Sequence, residues 1–234
     1  VKMVNELLDS GVSVCTLGPI IHNPQTLAQL EARGVKIVDS PDDVPRDSTL
    51  VIRSHGVTKA VLDHIRALEL NYSDATCPFV ENIHKIVFKA SEEGKTVFIA
   101  GDLNHPEVQG IKGHCAGMCY VFKDAVELQN ITDNIPYDKN NPPCVVAQTT
   151  FSMSEWENCL KIIKRVYTNA TIFDTICNAT AKRQTESALL SQQCDTMIVI
   201  GGRQSSNTAK LLDVCKKNCA TYLIETADEL PLTA

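Results

Sequence analysis

Long apolar runs, blocks of basic residues, a secretory leader and Gly/Ser-rich linkers are all missing from this 234-residue sequence. No apolar stretch approaches the ~18 residues of a membrane span, and the longest, around Met197–Gly202, reads as one buried strand. Lys and Arg number 22 against 28 Asp and Glu, a net charge of −6, so no nucleic-acid surface is expected. The 10 cysteines are too few for a disulfide scaffold, which takes ~8–10% of a chain. Scattered thiols without a leader read as a reducing, cytoplasmic setting in which a few cysteines do chemistry. The remainder is ordinary: 44% hydrophobic and 21% charged residues exclude disorder, collagen and low complexity.

Strand and helix patterns alternate along the chain. Val12–Leu17, Val35–Val38, Thr49–Arg53, Thr96–Ala100, Val145–Ala147, Met197–Ile200 and Tyr222–Ile224 are short and rich in Val and Ile. Between them lie amphipathic stretches: Gln25–Arg33, Lys59–Leu68, Val80–Glu93, Glu155–Val166, Lys182–Gln192 and Thr208–Lys217. Continuous apolar strands separated by helices predict an α/β protein with parallel sheets covered on both faces. Asp133–Pro143, with Pro136, Asn140, Asn141 and Pro142, reads as a surface loop.

A repeat overlies this alternation. Asp74-Ala75-Thr76-Cys77-Pro78 is echoed by Asp174-Thr175-Ile176-Cys177-Asn178, and each cysteine precedes a glycine, Gly101 or Gly201, by 24 positions. A polar loop and a helix follow both glycines. Gly18, after Val12–Leu17 and before His22-Asn23-Pro24, fits the same register, which would put its cysteine roughly half a dozen residues before Val1. Three pseudo-symmetric α/β units around a central cavity are therefore expected: 1–75, 76–174 and 175–234, with boundaries near Ala75 and Asp174. The chain opens inside a helix over Val1–Ser10 and stops just after a helical start near Ala234, so it is expected to be a fragment whose first and third units are incomplete.

In parallel sheets ligands collect at the carboxyl ends of strands. There this sequence places His22, Ser54-His55-Gly56, Cys77, His105 with Glu107, Gln148-Thr149-Thr150, Cys177 with Thr180, and Ser205-Ser206-Asn207, with almost no Lys or Arg. Cys77 and Cys177, with an inferred third cysteine, suggest an iron–sulfur cluster in which one iron stays open to a substrate oxygen. Ser205, Ser206 and Asn207 suit helix capping and phosphate binding together. Glu107 is a candidate proton donor, its plain alternative being a surface carboxylate on a first turn. His114-Cys115-Ala116-Gly117-Met118-Cys119 is an incomplete zinc pattern and reads as a loop; His64 and His84 read as scaffold.

Ser54-His55-Gly56-Val57, Asp74-Ala75-Thr76-Cys77-Pro78, His105-Pro106-Glu107-Val108-x-Gly110, Gln148-Thr149-Thr150 and Ser205-Ser206-Asn207 together resemble the 4-hydroxy-3-methylbut-2-enyl diphosphate reductase family. The resemblance spans essentially the whole chain. It implies three α/β units around a [4Fe–4S] cluster held by Cys77, Cys177 and a third cysteine upstream. It further implies a diphosphate held by His22, His55, His105, Ser205, Ser206 and Asn207, with Thr149 and Thr180 as cavity hydroxyls. Glu107 would deliver the proton, helped by Thr149, and His105 would stand beside the reacting groups. The implied electron donors are ferredoxin or flavodoxin, the implied products isopentenyl and dimethylallyl diphosphate. The family's Asn-Pro-x-Gly-Phe-Cys and Gly-Ala-Ser-x-Pro motifs are absent from these residues, so the chain alone is expected to be inactive. A phosphate-binding module without catalysis, and a zinc or thiol sensor on His114, Cys115 and Cys119, are the competing readings.

Overall fold

The computed structural model describes residues 1–135, 138 and 140–230. All strand pairs are parallel, and they form three sheets. The first has the order β2-β1-β3-β4, from β1 (Ser13–Leu17), β2 (Lys36–Val38), β3 (Ser48–Ile52) and β4 (Tyr72–Asp74). The second repeats that order as β6-β5-β7-β8, from β5 (Val97–Ala100), β6 (Cys119–Phe122), β7 (Cys144–Ala147) and β8 (Thr171–Ile172). Among the described residues the third holds only β9 (Thr196–Ile200) and β10 (Ala220–Ile224). The fold is thus α/β in three related units.

Helices fill the crossovers that parallel pairing demands. They are α1 (Lys2–Asp9), α2 (Pro24–Ala32), α3 (Lys59–Ala67), α4 (Pro78–Glu92), α5 (Pro106–Lys112), α6 (Ala125–Asn134), α7 (Met153–Val166), α8 (Asn178–Ser191) and α9 (Ser206–Cys215). The second sheet shows how alternation builds the core. Phe98, Ala100, Val145 and Ala147 point to one face, against Trp156, Cys159 and Ile163 of α7. Val97, Ile99, Cys144 and Val146 point to the other, against Ile83 and Val87 of α4 and Ile111 of α5. Each such fully buried aliphatic side chain contributes about 1.5–3 kcal/mol. No helix among the described residues is long and apolar enough to cross a membrane.

The strand–helix alternation matches the sequence pattern, with additions. Strand β6 and helix α6 were not expected; β4, β8 and α5 follow from the repeat, which sets a strand end before each cysteine and a helix after each polar loop. Tyr72-Ser73-Asp74 and Thr171-Ile172 are too short to show a period, and they pair because β3 and β7 present free edges to them. The stretch read as a loop around Cys115 ends in β6, which begins at Cys119 and pairs with Val97. Helix α6 extends through Asp133 into the expected loop, of which Pro136 lies outside the described residues, as does the helical start near Ala234. The Met197–Gly202 strand is only half-buried: Val199 is buried, but Ile198 is 46% and Ile200 72% exposed, on the same face as the paired Tyr222, which no helix covers among the described residues.

One joint recurs three times and positions the site. The N–H groups of Gly18, Gly101 and Gly201 bond the carbonyls of Val38, Phe122 and Ile224 at 2.8, 2.8 and 3.0 Å, closing the ends of β1, β5 and β9. Beyond each glycine the chain turns into a capped helix. Asn23 caps α2, His105 caps α5 and Ser205 caps α9, each accepting from a first-turn N–H, and Pro24 and Pro106 follow at the position where proline is preorganised.

Candidate functional site

The two repeated cysteines occupy matching places. Cys77 precedes α4 at φ −61°, ψ 133°, and Cys177 precedes α8 at φ −63°, ψ 133°. The Cys77 N–H bonds the carbonyl of Ser54, and the Cys177 N–H bonds that of Thr149, both at 3.0 Å. Each cysteine is therefore tied to the loop that ends the central strand of its neighbouring sheet. Neither side chain caps its helix, and both thiols are free and half-buried.

His22, His55 and His105 come together from three separate loops. Ring centroids lie 5.2 Å apart for His22 and His55, 5.3 Å for His55 and His105, and 6.2 Å for His22 and His105. Burial pushes His55 down to about 3, helped by His105, His22 and Arg53; it pushes His105 down to about 4, and lowers His22 as well. All three rings are neutral near pH 7. His105 Nδ1 accepts the N–H of Glu107 at 3.1 Å, which fixes its proton on Nε2. His22 Nε2, His55 Nδ1 and Asn207 Oδ1 are buried without a hydrogen-bond partner among the described residues. Buried polar atoms are almost always paired, so this set marks a ligand's place. A half-turn of the Asn207 amide presents its NH2 to an anion.

His22, His55 and His105 line two open pockets that share Ser205. One, of about 450 Å3, is walled by His22, Asn23, Ser54, His55 and Ser205. The other, of about 250 Å3, is walled by His105, Gln148, Arg203, Ser205 and Ser206. A single closed cavity was expected; the described part of the third sheet has two strands and does not enclose one. The second and third units meet where Thr150 Oγ1 donates to Ser206 Oγ at 2.9 Å. The third meets the first where a Cβ on Gly202 would overlap the carbonyl oxygen of His22.

Glu107 is not a surface carboxylate. It is 2% exposed, in the first turn of α5, and accepts the Thr149 N–H at 2.6 Å and the Thr149 hydroxyl at 2.7 Å. Burial raises its pKa, and the two bonds from Thr149 oppose that rise. Thr180 is buried in the first turn of α8, beside Cys177. His114 and Cys115 do not join Cys119 in a metal-ligating group among the described residues; His114 stacks on His84 at 3.9 Å and bonds Gly110 O.

Sequence reasoning missed Arg53, which directly follows β3. Its charge lowers the pKa of all three histidines. The signal was its place immediately before Ser54-His55-Gly56.

A family model described as LytB protein matches residues 1–234. The chain belongs to the LytB protein family. Among LytB relatives, one from Caldanaerobacter subterraneus subsp. tengcongensis, named 4-hydroxy-3-methylbut-2-enyl diphosphate reductase, is 40% identical over 218 residues, 92% of this chain and 74% of its own length. A protein of the same name from Geobacter sulfurreducens is 40% identical over 233 residues, 98% of this chain and 79% of its own. The solved E-1-hydroxy-2-methyl-but-2-enyl-4-diphosphate reductase of Plasmodium falciparum superposes with a TM-score of 0.92 at 26% identity, covering 98% of this chain and 72% of that one. A solved (E)-4-hydroxy-3-methyl-but-2-enyl diphosphate reductase gives 0.70 at 35% identity, covering 99% and 82%. This LytB chain thus shares a fold with solved reductases.

Proposed function

We propose that this protein reductively removes the hydroxyl of 4-hydroxy-3-methylbut-2-enyl diphosphate, giving isopentenyl and dimethylallyl diphosphate in isoprenoid biosynthesis. Two electrons and two protons enter, the allylic C–O bond breaks, oxygen leaves as water, and one C–H bond forms. The names of its LytB relatives support the reaction. The observation that carries it is the buried Glu107–Thr149 pair, whose Glu107 N–H bonds His105 of the histidine group.

The donor set fits a [4Fe–4S] cluster: Cys77 and Cys177 are free thiols at equivalent helix N-termini, and they would supply two of its thiolates. Bound, such a cluster delivers electrons and offers an open iron as a Lewis acid. These residues contain two of the thiolates, so we expect the chain by itself to be inactive. Ferredoxin or flavodoxin would supply the electrons, in a reducing cytoplasm.

The chain's own groups do the rest. Neutral His22, His55 and His105 donate N–H groups to the diphosphate, and Ser205, Ser206 and Asn207 add hydrogen bonds at the N-terminus of α9, whose dipole favours an anion. Glu107, kept protonated to higher pH than an ordinary carboxyl, supplies a proton, and the Thr149 hydroxyl orients it. Thr180 closes the wall beside Cys177.

An anion-binding module has no use for a buried carboxylate, which would repel its ligand; Glu107 therefore favours the enzyme. The test is anaerobic turnover by the intact parent protein with a reduced one-electron dye, the two isomeric products being separated by chromatography. Glu107→Gln should keep the cluster's visible absorbance and lose about 100-fold or more in turnover. Undiminished turnover in that variant, or no product from the wild type, would overturn the proposal.

A further inference from the structure

The first two units carry matching residues at one structural position, and the difference between them is informative. Arg53 is the first residue after β3, and Gln148 is the first after β7. Each side chain lies over the glycine that closes the neighbouring central strand. A Cβ on Gly18 would stand 2.9 Å from an Arg53 guanidinium nitrogen, and one on Gly101 would stand 3.1 Å from Gln148 Oε1. Each also lies two residues before a polar group of the strand-end loops, His55 or Thr150.

Gln148 is satisfied. Its amide oxygen accepts the Asp102 N–H at 3.3 Å, and its NH2 donates to Thr150 Oγ1 at 3.0 Å. Arg53 is not. Its Nε is buried without a partner, and it forms no ion pair among the described residues. Burial even lowers the pKa of the guanidinium, with no carboxylate opposing it. A half-buried cation whose Nε has no partner is costly and persists where something else balances it. Gly18, at φ +69°, makes room for it: any side chain there would be strained and would strike the guanidinium.

We infer that Arg53 is a positioning residue for the diphosphate: it supplies, from behind His22, His55 and His105, the positive charge that the anion completes. Neutral histidines alone bind an anion by hydrogen bonds; a fixed cation beneath them adds charge selectivity. Arg53 does so without occupying the pocket, whose walls are His22, Ser54 and His55. This inference rests on the diphosphate reading above and adds to it what makes the site prefer a doubly charged headgroup.

The experiment uses the intact parent protein loaded with its cluster, with inorganic diphosphate and inorganic phosphate as competitive inhibitors, on wild type, Arg53→Gln and Arg53→Lys. For Arg53→Gln the inhibition constant for diphosphate and the KM should both rise about ten- to a hundredfold, the worth of one charged partner. The constant for phosphate should rise less, kcat should fall far less than kcat/KM, and the cluster absorbance should persist. Arg53→Lys should recover most of the diphosphate affinity. Equal diphosphate inhibition of Arg53→Gln and wild type overturns the inference and leaves the site reading standing. So does a loss of cluster absorbance that lysine fails to restore, since the role would then be structural. Failure of diphosphate to compete in the wild type overturns the site reading, and this inference with it.

Discussion

Thr149 gives both of its donors to Glu107, the backbone N–H to one carboxylate oxygen at 2.6 Å and the hydroxyl to the other at 2.7 Å. The same residue's carbonyl holds the N–H of Cys177 at 3.0 Å. One residue thus joins the proposed proton donor to the proposed cluster ligand, across 42 positions of sequence on one side.

The pair predicts a pH effect with a definite sign. Burial raises the Glu107 pKa, and the Thr149 hydroxyl lowers it by bonding the charged form. If protonated Glu107 is the donor, turnover falls as pH rises through its pKa. Thr149→Val removes one bond that favours the carboxylate, so that descending limb should move to higher pH; Thr149→Ser should move it back. Rate against pH at saturating substrate measures this, and an unmoved limb in Thr149→Val would count against the assignment.

Buried histidines predict weakness toward acid. His84 is 7% exposed, stacks on His114, and is pushed down to about 3, first by burial and then by His114. Its folded pKa lies below its unfolded value, so the stability it contributes is present above about 6.5 and is lost as pH falls toward 3. Over that window each such histidine costs about 1.4 kcal/mol per pH unit. Denaturant midpoints measured from pH 7 to 4 should therefore fall, and less steeply in His84→Gln. Parallel curves for the two proteins would contradict this.

The contact between Thr150 and Ser206 predicts a modest, coupled effect. Its 2.9 Å bond crosses from the second unit to the third. Thr150→Val and Ser206→Ala should each cost about 0.5–1.5 kcal/mol, and the double variant should cost less than their sum. A double-mutant cycle by denaturant melting reads the coupling; strict additivity would mean that the bond does not form in solution.

What the sequence made legible follows from spacing. The equal 24-residue intervals from Cys77 to Gly101 and from Cys177 to Gly201 predicted equivalent cysteines, and their backbone angles agree to within a few degrees. Motifs at strand ends brought His22, His55 and His105 into one list before any geometry was available. The burial of Glu107 was not legible, because it depends on β7, 42 residues away, delivering Thr149 over it. Arg53 was overlooked for a related reason: a charged residue after a strand usually lies in solvent, and only the vacancy left by Gly18 shows that this guanidinium packs over a neighbouring strand end. The exposure of Ile198 and Ile200 depends on what covers their face of the third sheet, which local hydrophobicity does not encode.

Gly202 supplies the most local test of how the third unit reaches the first. A Cβ at this position would overlap the carbonyl oxygen of His22, a backbone atom that cannot swing aside as a side-chain tip can. Gly202 also precedes Arg203, whose N–H bonds Glu225 at 2.7 Å, so the loop cannot simply slide away along β10. In Gly202→Ala, then, the loop bearing Ser205 and Ser206 must retreat from His22, widening the pocket they share. Hydrogen-bonding groups displaced by about 1 Å lose much of their effect, so diphosphate affinity should fall by about tenfold or more. The melting temperature should fall by a few degrees with it. Glu107, Thr149 and Cys177 do not touch this contact, so the cluster's absorbance should be unchanged. If Gly202→Ala binds inorganic diphosphate as tightly as the wild type, the close approach of these two backbones does not shape the pocket.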